Sequence, residues 1–401
     1  MKKVRMGVVG VGGMGQGHCA AIAQVEDAVL TAVSDVHQPT AEKVGARYGV
    51  PAFTNYLDLL KSGLVEAISI ATPHYQHPEV GIAAFKRGLH VLSEKPIAVT
   101  VGESDRMIRA AQKSGKVFEV CYQMRCEAKY RAARALIEKG SVGELVRVNM
   151  LISDYRSQAY YNSGGWRATW KGEGGGVLFN QAPHMMDVFC WMVGLPKYVT
   201  AQTRTRLHEI EVEDEAFAMM EFANGAHGYL YASTTEAPRT YRFEIVGDKG
   251  KILLDDTGLH FWKLATPIST HSRTATEMWG GPEAAESELA GKDLEKLVGM
   301  PLSKCEATHR GVVRNFCAAI LRGEKRLAPG EECGMQVELA DAITLSSHLG
   351  ERVKLPISRR GYDELMARLI ASSKPKKTVK EQRTTDTVHM KELKKTAKRS
   401  R

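Results

Sequence analysis

One stretch near the N-terminus decides the fold: Gly10-Val11-Gly12-Gly13-Met14-Gly15. It follows an apolar run, Val4–Val9, that is typical of a buried strand, and it precedes a helix-like stretch, Gln16–Val25. Glycines at this spacing allow a tight turn, a close approach of the backbone to a pyrophosphate, and close packing of helix on strand. The helix N-terminus offers free N–H groups to phosphates. We therefore expect a dinucleotide-binding loop formed by Gly10, Gly12, Gly13, Met14 and Gly15, with a structural glycine turn as the alternative.

An acidic residue stands where the ribose of a dinucleotide would lie. Asp35 ends a second strand-like run, Val29–Ser34, and lies 20 residues beyond Gly15. A carboxylate there accepts hydrogen bonds from the ribose hydroxyls of NAD and repels the 2′-phosphate of NADP. No Arg or Lys follows among the next three residues, 36–38. The pattern favours NAD over NADP.

Strands and helices alternate through the first 124 residues. Apolar runs at 65–71, 90–93 and 117–122 alternate with helix-like stretches at 39–48, 78–87 and 103–113. This alternation is typical of βαβ units and a parallel sheet. We predict an α/β Rossmann domain with a parallel sheet over residues 1–124.

The pattern changes over residues 125–372. Longer strand-like runs are joined by short turns such as Asn224-Gly225, which is typical of hairpins. Helix-like stretches precede and follow these strands, and we expect the helices on one face of the sheet. Residues 266–304 are polar and rich in Gly and Pro. We predict an α+β domain with a mostly antiparallel open sheet, in which 266–304 is a long surface excursion.

The positive charge of the chain is concentrated at its C-terminus. The 401 residues carry a formal net charge of +9, and eleven Lys and Arg against three Asp and Glu lie between Ser373 and Arg401. The rest of the chain is nearly neutral, so we expect no nucleic-acid partner for residues 1–372. Residues 373–401 contain too little apolar surface to offset the entropy of ordering. We predict a basic, disordered tail.

Several other classes of protein are disfavoured. No apolar run is long enough to span a membrane. The seven cysteines are odd in number and form no CxxC pair, so we expect no disulfide framework, no zinc site and a cytoplasmic setting. His74 and His77 are close in sequence but lack a third ligand at suitable spacing, so we expect no metal.

Five further motifs resemble one oxidoreductase family. They are Thr72-Pro73, His77, Glu94-Lys95-Pro96, Gly174-Gly175-Gly176, and His184 followed by Asp187. With the glycine loop they resemble the Gfo/Idh/MocA family, from the first strand to about Ile370. The resemblance implies a sugar site between the nicotinamide and the second sheet, and a homodimer or homotetramer. It also implies a cis bond before Pro96.

Two residues are the candidates for acid–base chemistry. The resemblance gives Lys95 contacts with both cofactor and the reacting hydroxyl, and an ammonium there eases loss of the hydroxyl proton. A neutral His184 imidazole takes that proton. Asp187, three residues further on, is expected to orient the imidazole. The alternatives are a surface lysine and a buried structural histidine.

One position departs from the family pattern. Asn180-Gln181-Ala182 stands where the family usually has Asp at the first position and Gly at the third. Because Asn cannot exchange a proton, we expect Lys95 and His184 to carry the acid–base work, with Asn180 binding substrate. This variant resembles dehydrogenases of glycosides and anhydrosugars within the family.

The remaining candidate residues divide into two groups. Those expected to bind cofactor are Thr72, Pro73, His77, Glu94, Gln123, Trp166 and Arg167. Those expected to bind a sugar are Arg156, Tyr160 and His309, with Tyr155 and Tyr161 on the same segment.

We therefore predict an NAD-dependent oxidoreductase that acts on a ring hydroxyl of a sugar, cyclitol or glycoside. One alternative is a glycoside hydrolase or lyase that uses tightly bound NAD for transient oxidation and elimination. A second is a non-catalytic protein that binds NAD or sugar, to which only Asn180 points.

Overall fold

The computed structural model describes residues 2–374 and 378–380. Its first part alternates strands and helices in the order β1 Val4–Val9, α1 Gly13–Ala23, β2 Ala28–Ser34, α2 Gln38–Tyr48, β3 Ala52–Phe53, α3 Tyr56–Lys61, β4 Ala67–Ile70, α4 Gln76–Phe85, β5 His90–Ser93, α5 Val101–Ser114 and β6 Phe118–Val120. The six strands form one parallel sheet in the order β3-β2-β1-β4-β5-β6. This is the strand order of a Rossmann sheet, so the predicted fold of this part is confirmed.

The apolar runs become strands because helices cover both faces of the sheet. All four residues of β4 are buried, as parallel strands between two helical layers must be. β3 and α3 were not predicted from the sequence. β3 has only two residues, too few to show the alternation of buried and exposed side chains that is typical of a strand. The six residues of α3 are fixed by the Asn55 side chain, which accepts a hydrogen bond from the Leu57 N–H.

A short 3₁₀ turn, Gln123–Cys126, leads into the second part. Its elements are α6 Ala128–Glu138, β7 Leu145–Ser153, α7 Gln158–Tyr161, α8 Pro183–Val193, β8 Tyr198–Arg204, β9 Glu215–Glu221, β10 His227–Ser233, β11 Thr240–Gly247, β12 Gly250–Leu254, β13 Leu259–Leu264, α9 Ile268–Thr274, β14 Ala284–Leu289, α10 Gly291–Val298, α11 His309–Arg322, α12 Gly330–Leu349, β15 Val353–Lys354 and α13 Arg359–Ser372. Nine strands form a sheet in the order β14-β13-β12-β11-β7-β10-β9-β8-β15. Only the pairing of β7 with β10 is parallel among these strands, which confirms a mostly antiparallel sheet.

The predicted surface excursion at 266–304 is wrong in one respect. It contains α9, β14 and α10, and β14 pairs with β13 at the edge of the second sheet. Five of the six β14 residues are exposed. Because neither face of β14 is buried, its sequence shows no alternation from which a strand could be predicted.

Two late helices connect the parts of the molecule. α12 packs against β8 of the second sheet and against α5 of the first part. α11 packs against α1, and its Val312, Val313 and Phe316 join the core that contains Val4 and Met6. α11 thus lies against the first sheet, although sequence places it within 125–372. The domain division at residue 124 stays a prediction.

Three other expectations concern the chain as a whole. Most of the predicted basic tail, 373–401, lies outside the described residues; Ser373 and Lys374 hydrogen-bond the Glu211 carboxylate. All seven cysteines are free thiols, and all but Cys305 are buried. No helix within 2–374 has the length and apolarity that a bilayer crossing requires.

Candidate active site

A cleft of ≈ 620 Å³ opens where the strand order of the first sheet reverses between β1 and β4. Open α/β sheets place their ligands in such crevices, beyond the carboxyl ends of the strands. The opposite wall comes from the second part of the chain. The predicted residues that line the cleft are Gly12, Gly13, Met14, Asp35, Thr72, Pro73, His77, Glu94, Lys95, Gln123, Arg156, Tyr160, Trp166, Arg167, Asn180, His184 and His309.

The glycine loop has the geometry of a phosphate cradle. Gly10 adopts a φ of +83°, and a Cβ on Gly15 would lie 1.8 Å from the Gly10 carbonyl oxygen. These two glycines do not line the cleft; they permit the turn and the close packing of α1. Gly12 is the N-cap of α1, where no side chain caps the helix and a Cβ would meet open space. The first-turn N–H groups are therefore available to an anion.

Asp35 lies beside this loop at the end of β2. Its Oδ2 accepts a hydrogen bond from the Val11 N–H at 3.0 Å, and its Oδ1 accepts one from the His37 N–H at 2.9 Å. Two carboxylate oxygens offer about four acceptor positions, so capacity remains for ribose hydroxyls. The carboxylate thus has both the place and the free lone pairs that NAD binding requires.

Two buried polar atoms support a bound cofactor. Thr72 Oγ1 and Gln123 Oε1 have no hydrogen-bond partner within the described part of the chain, and both residues line the cleft. Buried polar groups are nearly always hydrogen-bonded, so an orphan pair at a cleft indicates a ligand that completes it. A dinucleotide, which carries hydroxyls, phosphates and an amide, fits this donor and acceptor set.

Lys95 enters the cleft directly after β5. Its Nζ donates a hydrogen bond to the Asn180 backbone carbonyl, 2.8 Å away, and its peptide bond to Pro96 is cis. Burial lowers the pKa of Lys95, and the carboxylates of Glu94 and Glu173 oppose that shift. The ammonium is thus held at the boundary between the two walls of the cleft.

His184 lies in the first turn of α8, after Pro183 at the position where proline is favoured. Its ring lines the cleft and packs edge-on against Tyr122, with 5.9 Å between centroids. The prediction that Asp187 orients this imidazole is wrong. Asp187 instead accepts two hydrogen bonds from Arg125, from Nε at 2.7 Å and Nη2 at 2.8 Å, and both side chains are buried. A buried guanidinium requires a carboxylate partner, and both oxygens of Asp187 serve Arg125 in this way.

Glu94 is held by two imidazoles. Its Oε1 lies 2.8 Å from His18 Nε2 and 3.0 Å from His309 Nε2. Burial raises the pKa of Glu94, but the hydrogen bonds from these two histidines prevail and leave it well below its usual range. Among the described residues these three side chains also have ligand atoms close enough to hold a metal ion. In this structure they form a hydrogen-bonded cluster, so His309 contacts a carboxylate that the sequence had not paired with it.

Aromatic and cationic side chains form the outer wall. The Arg167 guanidinium lies over the rings of Trp166, at 4.5 Å, and Tyr160, at 4.7 Å. Arg156 makes a two-pronged ion pair with Asp154. His77 has a different position from these outer-wall side chains. Its ring nitrogens contact the backbone carbonyls of Pro96 and Thr72. His77 therefore holds the strand ends together around the cleft.

Sequence reasoning missed several residues of the site. His18, Glu173 and Tyr241 were not predicted, and Tyr161 is buried against Thr234 rather than in the cleft. His18 follows the glycine loop by three residues, and Glu173 directly precedes the glycine triplet. Proximity to a motif was therefore the available signal for both.

The fold and the cleft together define an oxidoreductase that depends on a dinucleotide. Residues 4–122 match the model of the oxidoreductase family with an NAD-binding Rossmann fold, and residues 130–253 match the GFO/IDH/MocA C-terminal domain. The chain therefore belongs to the Gfo/Idh/MocA family, as the motifs suggested, and its cofactor is NAD.

The relatives of this chain include proteins named as dehydrogenases and one named as a hydratase. A levoglucosan dehydrogenase from Pseudarthrobacter phenanthrenivorans is 26% identical over 64% of this chain and 74% of its own. A 2,7-anhydro-N-acetylneuraminate hydratase from Mediterraneibacter gnavus is 26% identical over 88% and 97%. The solved WlbA dehydrogenase from Bordetella pertussis, in complex with NADH and UDP-GlcNAcA, superposes with a TM-score of 0.74 at 27% identity, over 89% of this chain and 100% of that one.

Proposed function

We propose that this protein transfers a hydride between NAD and a ring carbon of a sugar, cyclitol or glycoside. The observation that carries the proposal is the meeting of Lys95, His184 and the glycine loop in one cleft. These residues come from three separate segments of the chain, and only the fold brings them together. Relatives named as dehydrogenases of levoglucosan and myo-inositol support a cyclic polyol substrate.

The residues of the cleft divide the work of alcohol oxidation. NAD, when bound, supplies the acceptor for the hydride that leaves the carbinol carbon. The Lys95 ammonium donates a hydrogen bond to the reacting hydroxyl and stabilises negative charge that develops on its oxygen. The His184 imidazole accepts the hydroxyl proton. Asn180 Nδ2 is already bonded to Glu173, so its Oδ1 remains to accept a hydrogen bond from a substrate hydroxyl.

Spectrophotometry tests this assignment. Purified protein with NAD is offered levoglucosan, myo-inositol, simple glycosides and uridine-diphosphate sugars, and NADH absorbance is followed. We expect Lys95→Met and His184→Ala each to lower kcat at least 100-fold. The matched controls, Lys86→Met and His227→Ala, change exposed residues outside the cleft and retain activity. Full turnover by both cleft variants would refute the roles.

A second candidate is redox-neutral cleavage or hydration. One relative, aligned over 88% of this chain, is named a hydratase rather than a dehydrogenase. In such a reaction a ring carbon would lose a hydride to NAD and a neighbouring substituent would leave. In a hydration or hydrolysis, water would then add to the double bond that elimination creates, and the hydride would return to the ring carbon. NAD that co-purifies at near one equivalent, together with product formation and no net NADH, would favour this candidate over the first.

A further inference from the structure

The buried carboxylate of Glu173 is linked to Lys95 through Asn180. It is 1% exposed and precedes the glycine triplet. Its Oε2 accepts a hydrogen bond from the Ala168 N–H at 2.5 Å, and its Oε1 accepts one from the Asn180 side-chain amide. Ala168 adopts a φ of +51°, which is uncommon for a residue with a side chain. The backbone is therefore held in an unfavourable conformation where it donates to Glu173.

The loop that carries this carboxylate is closely packed. A Cβ on Gly174 would lie 2.2 Å from Val99, and one on Gly176 would lie 1.8 Å from the Glu213 carbonyl oxygen. The Glu173 carbonyl oxygen is itself contacted by His74 Nδ1 at 3.0 Å. Glu173 is thus fixed by its backbone, by its neighbours and by both of its carboxylate oxygens.

Asn180 connects Glu173 to Lys95. Its side-chain amide donates to Glu173, while its backbone carbonyl accepts from Lys95 Nζ at 2.8 Å. Glu94, the other buried carboxylate near the lysine, bonds the lysine backbone N–H and two histidines. Asn180 has no charge of its own, so the carboxylate that acts through it on the ammonium is that of Glu173.

We propose that Glu173 is a positioning residue. Through its hydrogen bond with the Asn180 amide, it supplies the negative charge that the Asn180 side chain lacks. It thereby keeps the Lys95 ammonium both in place and charged. The role within a reaction rests on the proposed function, whereas the effect on Lys95 does not. Removing the carboxylate leaves the Lys95 ammonium with less compensation in a cleft that also contains two arginines.

Other titratable groups also interact with Lys95 and Glu173, so the test must separate their effects from that of Glu173. The titratable groups that interact electrostatically with Lys95 or Glu173 are Glu94, Arg156, Arg167, Tyr160, Tyr161, His74, His77, His309 and Glu213. Glu213 provides a matched control. It is a buried carboxylate on a different loop, between β8 and β9, which packs against Gly176. Its Oε1 accepts hydrogen bonds from the Gly176 and Leu178 N–H groups and contacts no part of Asn180 or Lys95 in the hydrogen bonds described.

The test measures the ionisation of Lys95 without any substrate. The full chain is trace-labelled with acetic anhydride across a range of pH, and peptide mass spectrometry reports the labelled fraction of Lys95. We expect Glu173→Gln to lower the apparent pKa of Lys95 by on the order of one pH unit. Glu173→Asp, which keeps the charge but shortens its reach, should give a smaller shift in the same direction. Glu213→Gln should leave the apparent pKa of Lys95 unchanged.

Each result decides the proposal. An unchanged Lys95 titration in Glu173→Gln, or an equal shift in Glu213→Gln, overturns it. If Glu173→Gln does not fold, Glu173→Asp decides: a lowered pKa of Lys95 supports the role and an unchanged one refutes it. A polyol panel that yields no NADH rejects the proposed function and leaves the labelling result standing. If turnover is found, the alkaline limb of kcat should move to lower pH in step with the labelling curve.

Discussion

Lys95 Nζ lies 2.8 Å from the Asn180 backbone oxygen, a hydrogen bond between residues 85 apart in sequence. It joins the end of β5 to the loop before α8. Because the acceptor is a backbone carbonyl, the bond does not depend on the identity of the side chain at position 180. The departure from the family pattern at Asn180 therefore leaves this one hydrogen bond intact.

Asn180→Asp should destabilise the protein in a pH-dependent way. The new carboxylate would stand against that of Glu173, which bonds the Asn180 amide. Like charges raise the pKa of one carboxyl in the folded state, so the folded chain binds the proton more tightly than the unfolded chain. The free energy of unfolding then falls as pH rises above about 4, and the loss is about 2 kcal/mol near neutrality. Urea unfolding at acidic and neutral pH measures it; equal losses at both pH values would contradict the prediction.

Asp187→Asn should weaken folding more than catalysis. It removes the buried one of the two carboxylates that pair with the Arg125 guanidinium, leaving only the half-exposed Glu332, 2.7 Å from Nη1. We expect the free energy of unfolding to fall by about 3 kcal/mol. Since Asp187 does not bond His184 in the contacts described, the pH dependence of kcat should keep its shape below the melting temperature. A displaced limb in that profile would indicate that Asp187 does orient the histidine.

Gly12→Ala should separate cofactor binding from folding. A Cβ at this position meets no atom within 4 Å, so the loop accommodates it. The methyl group would nevertheless stand where the backbone must approach the pyrophosphate. We expect NAD affinity to fall at least tenfold, measured by titration calorimetry, with the free energy of unfolding changed by less than about 1 kcal/mol. Gly17→Ala, in α1 and equally free of contacts, is the control and should bind NAD normally.

Met219→Glu should dissociate the predicted homo-oligomer. Met219 and Phe217 are 54% and 40% exposed on the outer face of β9, where they lie opposite Tyr229 and Tyr231 of β10. A contiguous exposed apolar patch marks an interaction surface, and a charge at its centre opposes burial. Size-exclusion chromatography with light scattering should show a smaller species. Leu349→Glu, at an exposed helix end elsewhere, should keep the parental mass.

Local features were predictable from sequence, and distant partnerships were not. The glycine loop, Asp35 and Lys95 stand at strand ends, so their spacing places them at one sheet edge. The prediction for Asp187 rested on its spacing of three from His184 along a helix, which places the two residues close together. Its partner in the structure, Arg125, is 62 residues away in sequence. The link of Glu173 to Asn180 lies in a loop, where no period relates sequence to direction.

The position of α11 has a consequence for how the protein is made. Val312, Val313 and Phe316 fill the core around β1, and His309 completes the cluster with His18 and Glu94. These residues emerge from the ribosome only after about three quarters of the chain has been synthesised. We therefore expect the core around β1 and the cofactor cleft to be completed only once α11 has been synthesised.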